Sequence, residues 1–296
     1  MDFYTYNGEL YAMPLQMNTY CLAYNKTMFD KEKIPYPTDK WTWDDYYNTA
    51  KKFVKDTNGD GMRDQFGSSA GNTELFIYMN GGEIIDVAKR KCVIDSKASR
   101  QALDFLVKFR RDCAPTRAEA SAFSDGKMDY TAFLMNKVAM QVTPAWLASA
   151  FSVKKDLQWD VVPMPIPPQG RKVEVFGEGC LVISNRTQHP DEAFRFVKYY
   201  CGEKGMKIFG LAKNGIPALR KAAQETFVTP PPAHAKYFID IAEKANYPVT
   251  LKMASASRFF VPYEQYNELL FLGKISVDEC VKKITKDTDD LLREIK

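Results

Sequence analysis

Apolar residues return along this chain with two different periods, and each change of period marks an element. Near the start, Tyr6 to Tyr11 places an Asn7-Gly8 turn before a stretch of alternating character, and Tyr20 to Tyr24 reads as a strand. The period then lengthens. Trp43, Tyr46, Tyr47, Ala50, Phe53 and Val54 recur at helical spacing behind Thr42, an N-cap residue with Asp45 three positions on. A second helix is predicted after Ser96, with Ala98, Ala102, Leu103, Phe105, Leu106 and Phe109 on its apolar face. Val138 to Val142, Trp159 to Val162 and Cys180 to Ser184 are rich in β-branched residues and predict strands. Two proline-rich stretches, Pro163 to Gly170 and Thr229 to Pro232, cannot continue a helix or a central strand and read as surface crossings. Beyond the second the pattern is mostly helical, and Ser276 with Glu279 forms a capping box for a last helix carrying Val277, Val281, Ile284, Leu291 and Leu292. Helices and strands alternate, which predicts an α/β architecture with covered sheets.

Composition narrows the function classes. A chain of 296 residues, 45% hydrophobic and 26% charged, is long enough for one large or two medium domains. Its formal charge of +4 comes from 41 basic and 37 acidic residues spread along the whole length, so there is no electrostatic case for nucleic acid. No run approaches the roughly 20 uninterrupted apolar residues of a membrane-spanning helix. The six cysteines are widely spaced without a Cys-x-x-Cys pair; they read as small buried hydrophobes or as disulfide partners, with Cys92 and Cys113 one candidate pair. The two histidines, His189 and His234, have neither metal-pair nor nucleophile-elbow spacing, and the glycines near residue 59 sit among carboxylates that would repel phosphate. That same loop resembles a calcium loop. Asp56, Asn58 and Asp60 stand at positions one, three and five, Gly61 at six, the Met62 carbonyl at seven and Asp64 at nine, but position twelve is Gly67 rather than a bidentate glutamate. Structural calcium and a plain solvated turn are the two readings, and no cofactor is required.

Several motifs occur in an order of their own. Asn7-Gly8-Glu9-Leu10-Tyr11-Ala12-Met13-Pro14 is followed by Leu22 to Asp30, by Trp41-Thr42-Trp43-Asp44-Asp45-Tyr46, and by the loop from Asp56 to Gly67. Asn80-Gly81-Gly82, Pro144-Ala145-Trp146, Cys180 to Ser184 and Pro190 to Phe196 come next. Each is weak alone, but their shared order over nearly the whole chain resembles the family 1 extracellular solute-binding proteins of ABC-type sugar importers. The resemblance implies a periplasmic-binding-protein-like two-lobe fold (class II), α/β, with the first lobe incomplete. Residues 1–18 and 177–216 would be the remnant of the N-lobe with its hinge strands, and residues 19–176 and 217–296 the C-lobe. Crossings near Leu15 to Thr19, Phe176 to Gly179 and Asn214 to Pro217 would be the hinges on which the lobes close over a ligand. The family usually begins with a secretory signal and about a hundred residues of first lobe. The start Met1-Asp2-Phe3-Tyr4 lacks the basic and apolar regions of such a signal. The expectation is therefore a chain whose N-terminal part, with its lipid anchor, is missing, leaving apolar faces exposed.

The resemblance also carries the function and its candidate residues. It implies a non-enzymatic, extracytoplasmic receptor, peripheral to the membrane, that captures a carbohydrate and delivers it to the permease subunits of an ABC transporter. A carbohydrate-active hydrolase and a ligand-sensing partner of a membrane receptor are the alternatives; a carboxylate pair flanking a cleft would mark the hydrolase. Sugars are held by an aromatic ring against their apolar face and by amide, carboxylate and guanidinium groups on their hydroxyls. Trp146 matches the family's stacking position. Asn18 falls at a hinge, Ser69, Gly71 and Asn72 form a short polar loop, and Glu178 lies between two glycines. Arg258 and Phe260 fall where the family provides a second aromatic platform. Packing in the core is the competing reading for the aromatic residues, and turn support for the polar ones.

Overall fold

The computed structural model describes residues 4–69, 71–121, 123, 130–170, 177–245 and 256–294. In chain order its strands are β1 (Thr5–Tyr6), β2 (Glu9–Leu10), β3 (Met13–Met17), β4 (Tyr20–Asn25), β5 (Phe66–Ser68), β6 (Ile85–Asp86), β7 (Lys91–Cys92), β8 (Val138–Pro144), β9 (Trp159–Pro163), β10 (Glu178–Leu181) and β11 (Ile216–Pro217). The α-helices are α1 (Lys26–Glu32), α2 (Trp43–Lys52), α3 (Thr73–Met79), α4 (Lys97–Cys113), α5 (Arg117–Ser121), α6 (Thr131–Leu134), α7 (Ala148–Ser152), α8 (Pro190–Tyr200), α9 (Glu203–Leu211), α10 (Arg220–Ala222), α11 (Lys236–Ala242), α12 (Ala256–Phe271) and α13 (Val277–Glu294). No helix among the described residues is long and apolar enough to cross a membrane.

Local chemistry explains where these elements start. Asn7 and Gly8 both take positive φ, 51° and 83°, as a two-residue hairpin turn of the right twist demands, and β1 pairs with β2 around them. Thr42 and Asp45 satisfy each other's backbone amides at the start of α2, a complete capping box. The side chains of Asn25, Asn72 and Ser96 each accept from the amide three residues on and so cap α1, α3 and α4. Ser276 Oγ accepts from the Glu279 amide at the start of α13.

The chain divides into two compact units. The first comprises residues 1–36, 143–164 and 175–245, the second residues 37–142, 165–174 and 246–296. These boundaries are cut at other places than the lobe boundaries at 18/19, 176/177 and 216/217 that the resemblance implies.

In the first unit β4 pairs antiparallel with β9, from Cys21 opposite Pro163 to Asn25 opposite Trp159. A separate three-stranded sheet has β3 at its centre, with β10 and β11 antiparallel on either side. Met17 faces Glu178 on one side and Ile216 on the other. The three crossings expected as hinges are thus neighbouring strands of one sheet, Phe176 alone lying outside the described residues. The strand expected at Cys180 to Ser184 begins and ends earlier. Its pairing stops where Leu181 meets Met13, the first residue of β3, so Val182 and Ile183 have no partner strand among the described residues and are exposed. Phe194, Phe196 and Tyr199 of α8, and Ile208 and Leu211 of α9, are exposed as well.

The second unit is built around aromatic packing. Trp43 of α2 stacks on Phe105 of α4 at 4.4 Å, and Tyr46 on Phe109 at 4.5 Å, which turns the two predicted apolar faces toward each other. Tyr46 is fully buried and its hydroxyl shares a 2.6 Å hydrogen bond with Ser68 Oγ of β5. β5 runs parallel to β8, with Phe66 opposite Val138 and Ser68 opposite Met140, so the segment between them is a crossover. No disulfide joins any of the six cysteines. Cys92 and Cys113 do not pair: the Cys92 amide is held by Asp289 of α13, while the Cys113 thiol points at the Tyr47 carbonyl of α2, and burial pushes it up to about 12.

Candidate functional site

The residues singled out by sequence fall into two groups, one in each unit. In the first unit, Asn18 leaves β3 with its amide donating to the Gly177 carbonyl at 3.2 Å, which sets it beside the start of β10 and hence Glu178. Asn18 is 7% exposed, and its Oδ1 has no hydrogen-bond partner among the described residues. The next residue, Thr19, is anchored twice. Its hydroxyl donates to the Phe238 carbonyl at 2.9 Å, and its own carbonyl accepts from Ala145 at 3.0 Å. That second bond matters because Ala145 opens the single 3₁₀ turn, Ala145–Leu147, that carries Trp146. Ala145 and Leu147 are buried while Trp146 is 41% exposed, so the turn pins its two ends and presents the ring between them. Trp43 and Trp159, by contrast, are core residues at 3% and 6%. The Ser149 hydroxyl donates to the Trp146 carbonyl at 3.0 Å and holds the turn from its far side. Asn18, the Trp146 turn and the strand bearing Glu178 are therefore neighbours, joined through Thr19 and Gly177.

The second group is the connection between β5 and α3, of which Ala70 lies outside the described residues. Ser69 donates its amide to the Met140 carbonyl at 3.3 Å, and its hydroxyl is buried with no hydrogen-bond partner among the described residues. Gly71 has φ of +72°, and a Cβ there would come within 2.9 Å of the Val142 side chain. Both facts require glycine. Its carbonyl accepts from Arg110 Nη2 of α4 at 2.8 Å, and the same guanidinium lies over the Phe271 ring at 4.1 Å. Asn72 Oδ1 accepts from Leu75 at 3.2 Å, the capping role of its alternative reading, while the residue as a whole stays exposed. Gly71→Ala should lower stability by about 2 kcal/mol through strain and overlap with Val142. Urea unfolding at constant m-value would show it, and an unchanged midpoint would mean that the connection relaxes freely.

Glu178 lies on β10 opposite Met17, and Arg258 and Phe260 lie in the first turns of α12; the side chains of these three fall outside the described part. One further residue of the second group, Arg110, carried no signal in the sequence, since it falls beside the apolar face of α4 and reads as a solvated charge.

The proposed calcium loop is closed on itself. Asp56 accepts from the amides of Gly59 and Gly61, both at 2.7 Å, Asn58 accepts from Asp60 at 3.0 Å, and Asp60 accepts from Met62 at 2.8 Å. Asp64 is turned away to Thr57 and Lys137, whose hydrogen bonds hold its carboxyl below the usual range. Among the described residues no three histidine, cysteine, aspartate or glutamate side chains gather as metal ligands. The set Asp56, Asn58, Asp60, Met62 and Asp64 keeps its calcium spacing, and the side-chain oxygens of Asp56, Asn58 and Asp60 also accept from the loop's own amides.

Mixed α/β units with short crossing strands gathered in one sheet define the periplasmic-binding-protein-like class. Residues 1–236 match the family described as bacterial extracellular solute-binding protein, and the chain belongs to that family. It is 25% identical over 234 residues to the maltodextrin-binding protein MdxE of Bacillus subtilis (strain 168), covering 76% of this chain and 54% of the relative. It is 24% identical over 213 residues to an arabinooligosaccharide-binding protein of the same organism, covering 70% and 48%. The chain spans about half the length of these curated relatives. Among solved structures, it resembles the ABC substrate-binding protein Lmo0181 of Listeria monocytogenes in complex with cycloalternan, at a TM-score of 0.83 and 23% identity, over 98% of this chain and 73% of that one. The maltose/maltodextrin-binding domain MalE of Bdellovibrio bacteriovorus bound to maltotriose gives 0.75 and 18%, over 98% and 74%.

Proposed function

We propose that this protein is an extracytoplasmic receptor that binds an oligosaccharide without transforming it and passes it to the permease of an ABC transporter. The observation that carries this reading is the placement of Trp146. An indole raised on a pinned turn offers a flat apolar shelf, and the buried amide oxygen of Asn18 nearby, without a hydrogen-bond partner among the described residues, offers an acceptor for a hydroxyl. The Ser69 to Asn72 connection, held by Arg110, supplies a second polar edge in its own unit. Two of the solved neighbours support the choice of ligand, one being in complex with cycloalternan and the other bound to maltotriose.

Titration calorimetry against maltotriose, mannobiose and an arabino-oligosaccharide tests the reading. Saturable heat is expected with at least one of them, at micromolar affinity, about −8 kcal/mol. No heat with any saccharide, or release of a shorter sugar during the titration, would remove it; the second outcome would favour the hydrolase.

A further inference from the structure

The side chain of Gln16, near the end of β3, lies across its sheet between two glycines. A Cβ at Gly179, its partner on β10, would come within 2.7 Å of Gln16 Cγ and 3.0 Å of Nε2, and a Cβ at Gly215, just before β11, within 2.3 Å of Oε1. Gly215 has φ of +148° and needs glycine for its backbone as well. Gly179 has no left-handed φ, and all three atoms nearest to an added Cβ there belong to Gln16, so the space its missing side chain leaves is taken by this one amide. The seat is within reach of solvent, since Gln16, Gly177 and Gly179 are all partly exposed. The Gln16 side-chain amide makes no hydrogen bond among the described residues. Asn18 stands two residues further on, and its bond to the Gly177 carbonyl continues the ladder, so the two side chains share one face of β3. Asn18 Oδ1, in a residue 7% exposed, has no hydrogen-bond partner among the described residues either. Confining a glutamine costs rotamer freedom, and no hydrogen bond among the described residues offsets that cost.

We infer that Gln16 is a second amide contact for the saccharide, seated by Gly179 and Gly215 in line with Asn18. The inference rests on the saccharide reading above and adds a residue and a direction of binding that the reading does not contain. A carboxamide both donates and accepts, as every sugar hydroxyl does, so each of the two amides can serve a pair of neighbouring hydroxyls. Side chains two residues apart on a strand stand roughly 7 Å from each other, about the span of one sugar ring with its hydroxyls. The row therefore suits a saccharide lying along β3, and the bond between the Thr19 carbonyl and the Ala145 amide joins the end of that row to the Trp146 turn. Because the glycine seat confines the Gln16 amide before any ligand arrives, binding loses less side-chain freedom than it would at an open strand surface.

The test is calorimetry with maltotriose, mannobiose and an arabino-oligosaccharide, continued with whichever binds the wild-type protein, and thermal unfolding of the same preparations. Gln16→Met fills the seat with similar bulk and no amide; it should bind about tenfold more weakly at an unchanged Tm. Gly179→Ala should push the amide out of its seat and weaken binding by a similar factor. Added to Gln16→Met it should change the affinity no further, because the contact it disturbs is already gone. Wild-type affinity in either single variant, effects that multiply in the double variant, or a Gln16→Met protein whose Tm falls in step with its affinity overturns the inference alone. No binding of any of the three saccharides by the wild-type protein overturns the saccharide reading, and the inference with it.

Discussion

Replacing Lys213 by methionine should lower the stability of this protein by about 3 kcal/mol, a fall in Tm of roughly 5–10 °C. Lys213 follows α9 in a left-handed conformation, φ 56°, and is only 4% exposed. Its ammonium donates to the Phe227 carbonyl at 2.7 Å, to the Thr229 carbonyl, and to the Thr229 hydroxyl at 3.3 Å. One cation thus fastens the end of α9, just before β11, to the head of the proline-rich connection at Thr229. Methionine matches its bulk but strands the two carbonyls. Burial draws the Lys213 pKa down to about 8, from 10.5 in the open chain, and this sets a pH signature. Between those values the unfolded chain holds a proton that the folded protein has released, so stability rises with pH across that window. The gap between wild-type and variant proteins should therefore widen from pH 8 to pH 10. Equal unfolding midpoints at pH 7 would show that the three oxygens find other donors.

Trp146→Ala should weaken saccharide binding by about 30-fold, about 2 kcal/mol, while changing stability by less than about 1 kcal/mol. The two effects separate because the indole is 41% exposed, while Ala145 and Leu147 are buried and carry the turn's contacts with the interior. Trp146→Phe keeps a smaller apolar face and should fall between. Calorimetry and thermal unfolding on the same preparations measure both quantities. A variant that lost stability in step with affinity would assign Trp146 to the core.

Much of the local structure was legible before any coordinates. The Asn7-Gly8 turn, the Thr42 to Asp45 capping box and the Ser96 cap are short-range chemistry, decided by residues a few positions apart, and they occur where the pattern places them. What depended on distant partners was not. The end of β10 is set by where β3 begins, which no feature of Cys180 to Ser184 encodes. The Asp56 loop has the spacing of a calcium site, but spacing does not say whether its carboxylates face a cation or the loop's own amides. The candidate site divides the same way. Trp146, Asn18 and the Ser69 to Asn72 connection stood out by residue type and motif. Arg110 and Lys213 gain their significance only where the fold brings the Gly71 carbonyl to one and the Phe227 and Thr229 carbonyls to the other.

An exposed indole that holds a sugar and leaves it intact has two signatures, and saturation-transfer proton NMR of maltotriose with the protein reads both in one spectrum. Saturation should pass to the sugar, most strongly to the ring C–H protons, weaken sharply in Trp146→Ala, and leave the maltotriose signals unchanged overnight. Equal transfer in the two proteins, or new reducing-end signals from shorter sugars, would contradict it.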